Sequence, residues 1–316
     1  VNSTGVVSTA TGPVRFLEAG RGPAVLLLHG FPLSSAAWGG LVPALARDHR
    51  VVAPDLPGTP ASPLEADGAP DLTTQARAMR ELLDRLAIGR VAIVGHLHGG
   101  GLAQLLAFED PRVAALVLLH PIAFDAWPEP PVRALAAADP AAVDPAAVVA
   151  ELLRAAAGPT PPTGDLVRVV TASWSGPGGA EALVRAARAL DGRGLEAATT
   201  AFADRDLPTL ILWGEADPFA PTELAERLHD AMPSSSLGVL PGVGRLLMDE
   251  AGPTVTTLVV GWLGSRYLGR RHVHPEAPAL VELGRRPPWA EDPALVEEDD
   301  PPVRYDPTQQ EVGPSA

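Results

Sequence analysis

Residues 91 to 100 read Val91-Ala92-Ile93-Val94-Gly95-His96-Leu97-His98-Gly99-Gly100, and Leu102-Ala103-Gln104-Leu105-Leu106-Ala107 follows. A short apolar run, a glycine-bracketed turn and a helical stretch make a strand-turn-helix elbow. Such an elbow holds its central side chain in a strained, exposed position facing two backbone donors, an arrangement suited to a nucleophilic Ser, Asp or Cys. Here the central residue is Leu97, which carries no reactive atom. The scaffold is present and its nucleophile is missing.

On the N-terminal side, Val14 to Glu18, Val25 to His29 and Val51 to Asp55 read as strands. Val91 to Gly95 and Ala115 to Leu119 continue the series. Between them Thr73 to Leu86 places Ala76, Met79, Leu82, Leu83 and Leu86 at helical spacing. A second block repeats the alternation: strand Thr209 to Trp213, helix Thr222 to Ala231, strand Leu237 to Leu240 and helix Thr254 to Tyr267. Strands alternating with helices predict an α/β fold with crossover helices. Residues 126 to 203 differ, being Ala-rich and Pro-punctuated, with helical runs from Val148 to Ala157 and Ala180 to Leu190. They read as a helical cap inserted into a core formed by residues 1 to 125 and 204 to 268. A cap over the strand C-termini predicts a roofed pocket.

Composition removes several chemistries. The 316-residue chain has no cysteine, which excludes disulfides, thiolate nucleophiles and cysteine-ligated metals. All 24 basic residues are arginine, so Schiff-base and lysine-bound pyridoxal chemistry are excluded, and no cofactor is expected. The net charge of −14, without basic clusters, argues against a nucleic-acid partner. Residues 275 to 316 hold ten acidic residues, three arginines and nine prolines, so the tail from 269 to 316 reads as disordered or draped. No apolar run reaches the roughly 18 residues of a membrane span, and no basic-then-apolar signal opens the chain. The expectation is a cytoplasmic protein, monomer or homodimer, with a small-molecule ligand or substrate and no membrane partner.

Four segments together resemble the α/β-hydrolase superfamily. They are the elbow, His29-Gly30-Phe31-Pro32 after one strand, Asp55-Leu56-Pro57-Gly58 after the next, and Trp213-Gly214-Glu215-Ala216-Asp217-Pro218 late in the chain. The likeness covers roughly residues 13 to 268. Gln104, Val117-Leu118-Leu119 and Asp125-Ala126-Trp127-Pro128 resemble most the branch of haloalkane dehalogenases and epoxide hydrolases, whose members usually carry Asp as nucleophile. The resemblance implies a mostly parallel eight-stranded sheet flanked by helices, with an inserted helical cap.

Carried over residue by residue, the resemblance puts Leu97 at the nucleophile position and Asp217 at the acid position. The histidine position falls in Gly242-Val243-Gly244-Arg245-Leu246-Leu247 and holds Arg245. A guanidinium stays charged at neutral pH and cannot accept a proton. The resemblance also implies an oxyanion hole from the backbone N–H groups of Phe31 and His98. Such donors survive side-chain changes and can leave a residual acceleration of about 10³ to 10⁴ over water.

The remaining candidates carry alternatives. Arg245 beside Asp217 reads either as a structural guanidinium-carboxylate bridge or as an anion site. His96 and His98 flank the elbow and invite a metal or base role, but side chains on either side of an elbow diverge and no third ligand has suitable spacing, so no metal is expected. His120 at a strand end reads as a lone base or a hydrogen-bonded structural histidine, and Asp125 as an alternative acid or a loop cap. His29, Gly30, His96, His120, Asp125 and Trp127 are the expected pocket residues, with Phe31, Trp38, Trp127 and Trp174 as apolar lining. His272 and His274 begin a solvated exit.

Three functional readings follow. One is a non-hydrolytic small-molecule binder, and another is a repurposed lyase, decarboxylase or cyclase using the oxyanion donors and Arg245. The third is a hydrolase of esters, epoxides or haloalkanes acting through a non-standard site.

Overall fold

The computed structural model describes residues 2–64, 68–124, 127–192 and 194–269. Its strands are β1 (Asn2–Thr9), β2 (Gly12–Ala19), β3 (Ala24–Leu28), β4 (Arg50–Pro54), β5 (Val91–His96), β6 (Val113–Leu119), β7 (Thr209–Gly214) and β8 (Ser235–Leu240). The core helices before β7 are α1 (Leu41–Leu45), α2 (Leu72–Arg85) and α3 (His98–Glu109). Between β6 and β7 lie α4 (Pro130–Ala136), α5 (Pro145–Ala156), α6 (Gly164–Trp174), α7 (Gly179–Ala189) and α8 (Leu195–Ala201). After β7 come α9 (Thr222–Ala231), α10 (Leu247–Glu250) and α11 (Gly252–Arg266).

All eight strands join one sheet in the order β1-β2-β4-β3-β5-β6-β7-β8. β1 and β2 are antiparallel to their neighbours, and β4 through β8 run parallel. The parallel strands are apolar runs because helices cover both their faces. Side-chain alternation then divides the core in two. Leu26, Ile93 and Leu116 face a cluster with α2, α3 and the inserted helices. Their neighbours Val25, Val94 and Val117 face a second cluster with α1 and α11.

Local signals fix the ends of several helices. Asp71 caps α2 by accepting from the Thr74 N–H at 2.7 Å, and Asp144 caps α5 in the same way. Pro130 and Pro145 stand at first helical positions, where their missing N–H is harmless. The glycines of α3 let the helix cross the sheet closely: a Cβ on Gly99 would lie 2.1 Å from the Leu28 carbonyl oxygen.

The strand and helix positions read from the sequence differ from the structure by a few residues at the ends, while β1, α1, α4, α6, α8 and α10 were not expected. β1 is the polar edge strand Asn-Ser-Thr-Gly-Val-Val-Ser-Thr, paired on one side only, so it lacks the apolar run that marks the interior strands. Trp38 is a correction: it is fully buried in the cluster with α1 and α11, not beside Leu97, because the 35–38 turn tucks under the other sheet face. The expected tail from residue 270 onward, including His272 and His274, and Asp125 lie outside the described residues.

Candidate functional site

The C-terminal ends of β3, β5, β6, β7 and β8 converge on one edge of the sheet, and the candidate residues follow them. Leu97 joins β5 to α3 with φ 50° and ψ −118°, a conformation that L side chains rarely adopt. Its carbonyl accepts from Gly100, Gly101 and Ile122 N–H groups at 2.9, 3.2 and 3.0 Å, and its own N–H donates to Leu119. Four hydrogen bonds therefore hold the strained turn. Gly30 is required opposite it, since a Cβ there would fall 2.7 Å from Leu97 Cβ. The elbow geometry is intact although its side chain is inert.

Asp217 and Arg245 meet as a two-pronged pair. Arg245 Nε donates to Asp217 Oδ2 and Nη2 donates to Asp217 Oδ1, both at 2.9 Å. The third prong, Nη1, donates to Glu129 Oε1 at 2.8 Å, and the guanidinium lies 5.0 Å from the Phe219 ring centroid. The Arg245 and Asp217 side chains are 4% and 0% exposed. The Phe219 N–H also donates to Asp217 at 2.8 Å. Burial alone would push the Asp217 carboxyl up, but His120, the Arg245 charge and the Phe219 N–H outweigh it and hold it below the usual carboxylate range. Burial raises Glu129 above its ordinary value in spite of Arg245.

His120 completes this cluster. Its Nδ1 accepts from the Gly214 N–H at 3.1 Å, so the proton of the neutral ring sits on Nε2, which abuts Asp217. The ring stacks on Trp213 at 3.9 Å between centroids. Burial lowers its pKa, with Asp217 opposing the shift. Both Asp217 oxygens are thus engaged by Arg245, and the neighbouring histidine presents a proton instead of a lone pair. Within the cluster Asp217 and His120 are committed to these contacts, whereas Glu129 uses only Oε1 toward Arg245 and its buried Oε2 finds no hydrogen-bond partner among the described residues.

The roofed pocket expected over Leu97 is a correction, because side chains fill it. About 10 Å³ remains beside Leu97, walled by Phe31, Val132, Leu152, Phe219 and Arg245. That is at most the room of one water. The expected pocket residues are also dispersed. His29 and Gly30 line a separate space of about 20 Å³ with Phe31, His98 and Trp174, so the two expected oxyanion residues meet there. His29 is itself structural: its Nδ1 donates to the Gly30 carbonyl and its Nε2 accepts from the Leu56 N–H, each at 2.9 Å.

His96 and His98 diverge because β5 ends at His96, the chain turns at Leu97 and His98 already opens α3; in a continuous strand the two would share a face. His96 Nε2 donates to the Arg245 carbonyl at 2.8 Å, whereas His98 Nε2 donates to Gln75 Oε1 at 2.6 Å. Burial lowers their pKa values to about 4 and about 3. Among the described residues no group of three His, Asp or Glu could hold a metal. Trp174 donates from its indole to the Pro32 carbonyl at 2.7 Å and meets Phe31 edge to face, while Trp127 is buried at the start of the insertion.

Glu129 escaped the sequence reading. Pro130-Pro131 marks a helix start and so Glu129 as its N-cap, but nothing local signals a partner 116 residues away.

An eight-stranded sheet with a strained elbow at the end of β5 and an acid after β7 defines the α/β-hydrolase class of fold. Residues 25–258 match the model of the alpha/beta hydrolase family, and the chain belongs to that family. An uncharacterised protein of Mycobacterium tuberculosis is 34% identical over 246 residues, 72% of each chain. A protein of Variovorax paradoxus, provisionally named a carbamate hydrolase, is 32% identical over 243 residues, 71% of this chain and 85% of that one. Among solved structures, an alpha/beta hydrolase fold protein from Burkholderia ambifaria superposes with a TM-score of 0.74 at 30% identity, covering 81% of this chain and 96% of its own. Among the described residues no helix is long and apolar enough to cross a membrane.

Proposed function

We propose that this chain is a member of the family that has left triad hydrolysis and serves as a non-hydrolytic small-molecule binder. The observation that carries the loss of hydrolysis is the closed space at Leu97, about 10 Å³ beside a nucleophile position without a nucleophile, so a bound molecule would sit elsewhere on the fold. Arg245 supports it, because a guanidinium locked on Asp217 can neither take a proton from water nor return one to a leaving group. A repurposed lyase or cyclase would still need room for its reactant next to the oxyanion donors, and the spaces of about 10 and 20 Å³ found there among the described residues are smaller than such a reactant. The helices from α4 to α8 act in this reading as a cap that seals the old site.

The test is a turnover screen with nitrophenyl esters, styrene oxide, 1-chlorobutane and an aryl carbamate, the last prompted by the name of the Variovorax relative. The expected result is no rate above that of heat-inactivated protein. Clear turnover of any substrate overturns the reading. Installing Leu97→Asp together with Arg245→His restores the missing groups and frees only the small difference in side-chain size, less than any of these substrates needs, so it is expected to stay inactive. Activity in that variant would mean that the cap readily moves aside.

A further inference from the structure

The N-terminal ends of β4, β3 and β5 lie on the sheet edge opposite the elbow and in matched register, with Arg50 of β4 and Val91 of β5 both flanking Ala24 of β3. Arginines collect there. Arg21 precedes β3, Arg47 precedes β4, Arg90 precedes β5 and Arg85 ends α2, and all four are exposed. Close contacts join these segments into one rim: a Cβ on Gly22 would lie 2.5 Å from the Asp48 carbonyl oxygen, and Arg50 donates to the Leu86 carbonyl at 3.0 Å. The end of α11 completes it. Tyr267 donates its hydroxyl proton to the Ala24 carbonyl at 3.0 Å, stacks on His49 and lies 4.4 Å from the Arg90 guanidinium, with Arg266 exposed beside it.

The rim is short of carboxylates. Glu18 and Asp48 lie on it, and Glu18 is taken by Arg50 at 2.6 Å. On the adjoining side Arg112 is held by Asp84 and Asp110, so that group closes on itself. Among the described residues Arg21, Arg47, Arg85, Arg90 and Arg266 form no ion pair. Partial burial lowers the pKa of Arg266, and no carboxylate offsets the shift. In a chain whose net charge is −14, this edge is locally cationic. The described residues end at Gly269, two positions past Tyr267 and thus on the same edge. Past the basic pairs Arg270-Arg271 and Arg285-Arg286, the segment 291–300 carries Glu291, Asp292, Glu297, Glu298, Asp299 and Asp300 and no arginine. The roughly 22 residues from Gly269 to Glu291 span up to about 70 Å when extended, and adjacent strands lie about 4.8 Å apart, so the whole rim is within reach.

We propose that the acidic segment 291–300 of this chain docks in cis across the rim formed by Arg21, Arg47, Arg85, Arg90 and Arg266. Its carboxylates then stand where the described residues supply none. One exposed ion pair contributes little, but several on one tether act together, and the tether sets an effective concentration on the order of millimolar. That local supply favours the chain's own segment over an acidic peptide or a nucleic acid arriving from solution. The contact is exposed and electrostatic, so salt weakens it. It lies at the far edge of the sheet from Leu97. Ester turnover would overturn the proposed function and leave this contact intact, while absence of the contact would overturn this inference alone.

The chain has no cysteine, so Ala294→Cys gives the full chain a single attachment point for a nitroxide spin label. At low salt the label is expected to broaden the amide signals of Arg21, Arg47 and Arg90 several-fold more than those of Leu97 and Phe219. The difference should vanish in 1 M salt, where the Debye length is about 3 Å. It should also vanish at low salt when the acids of the segment are neutralised together by Glu291→Gln, Asp292→Asn, Glu297→Gln, Glu298→Gln, Asp299→Asn and Asp300→Asn. These substitutions touch none of the described residues, so they decide the question even if the converse variant, Arg21→Glu with Arg47→Glu, fails to fold. Mixing spin-labelled chain with unlabelled, isotope-enriched chain reports contacts between copies, and little broadening is expected there. The proposal is overturned if the rim amides do not broaden, if broadening falls on another face, or if the neutralised segment broadens them equally. Equal broadening in the mixed sample also overturns it, since the contact would then belong to a second copy.

Discussion

His96 and Leu97 are neighbours in one turn, yet His96 borders a cleft of about 350 Å³ and Leu97 a space of about 10 Å³. Consecutive residues leaving a strand point to opposite sides, so the inserted helices can close one side of an elbow and leave the other open. The two sides also differ in electrostatic logic. At Leu97 one buried guanidinium, that of Arg245, faces the carboxylates of Asp217 and Glu129; along the cleft at His96 the carboxylates of Asp249 and Asp165 are held by Thr163 and Arg168 nearer the surface. A guanidinium can thus take up the carboxylate at one side of a turn while the adjacent surface stays open.

That contrast is sharpened first by breaking the paired side. Asp217→Asn leaves the Arg245 guanidinium buried with Glu129 as its remaining carboxylate, and should destabilise the fold by about 3 to 5 kcal/mol in urea unfolding. A loss near zero would mean that solvent reaches the cluster. Next in size is the leucine. Leu97→Ala removes buried aliphatic volume and should cost about 2 to 5 kcal/mol. Leu97→Gly removes more volume but relieves the positive φ, so it should recover about 1 kcal/mol relative to alanine. If glycine is the worse of the two by urea midpoint, the turn is not strained.

The smallest expected effect is in pH dependence. Burial raises the folded pKa of Glu129, so as pH rises from the ordinary glutamate range through that raised value the unfolded chain releases its proton first and stability declines. Glu129→Gln cannot titrate, so the stability of the wild type relative to this variant should fall with rising pH across that window. Asp217 has the opposite sign: its contribution is present above its ordinary value and is lost as pH falls through the lowered one. Melting curves from pH 2 to 8 of wild type and Glu129→Gln separate the two, because the Asp217 change lies at the acid end and is common to both proteins, and a flat difference above pH 4 would place Glu129 in solvent.

The fold was legible because its signals are local. The run Val91 to Val94, the glycines around Leu97 and the spacing of Ala76, Met79 and Leu82 each dictate an element within a dozen residues. The candidate site was legible in part: Leu97, Asp217 and Arg245 could be placed from motif order, and the guanidinium-carboxylate bridge was one of the readings left open. The rest depended on distance in sequence. Glu129 meets Arg245 from a helix start in the Ala-rich insertion, and the filling of the pocket depends on how Val132 and Leu152 pack, which periodicity does not specify. The cleft at His96 was hidden for the same reason, since it exists only where α6 and α10 meet the segment after β3.

The bonded elbow has one consequence for anyone redesigning the protein. Because Leu97 already occupies the strained backbone position, and because four hydrogen bonds and the close approach of Gly30 keep it there, a new reactive side chain would inherit its orientation without any refolding of the turn. The obstacle to installing catalysis is volume. Excavation should begin at Val132 and Leu152 of the inserted helices and at Phe219 after β7, and leave the turn untouched.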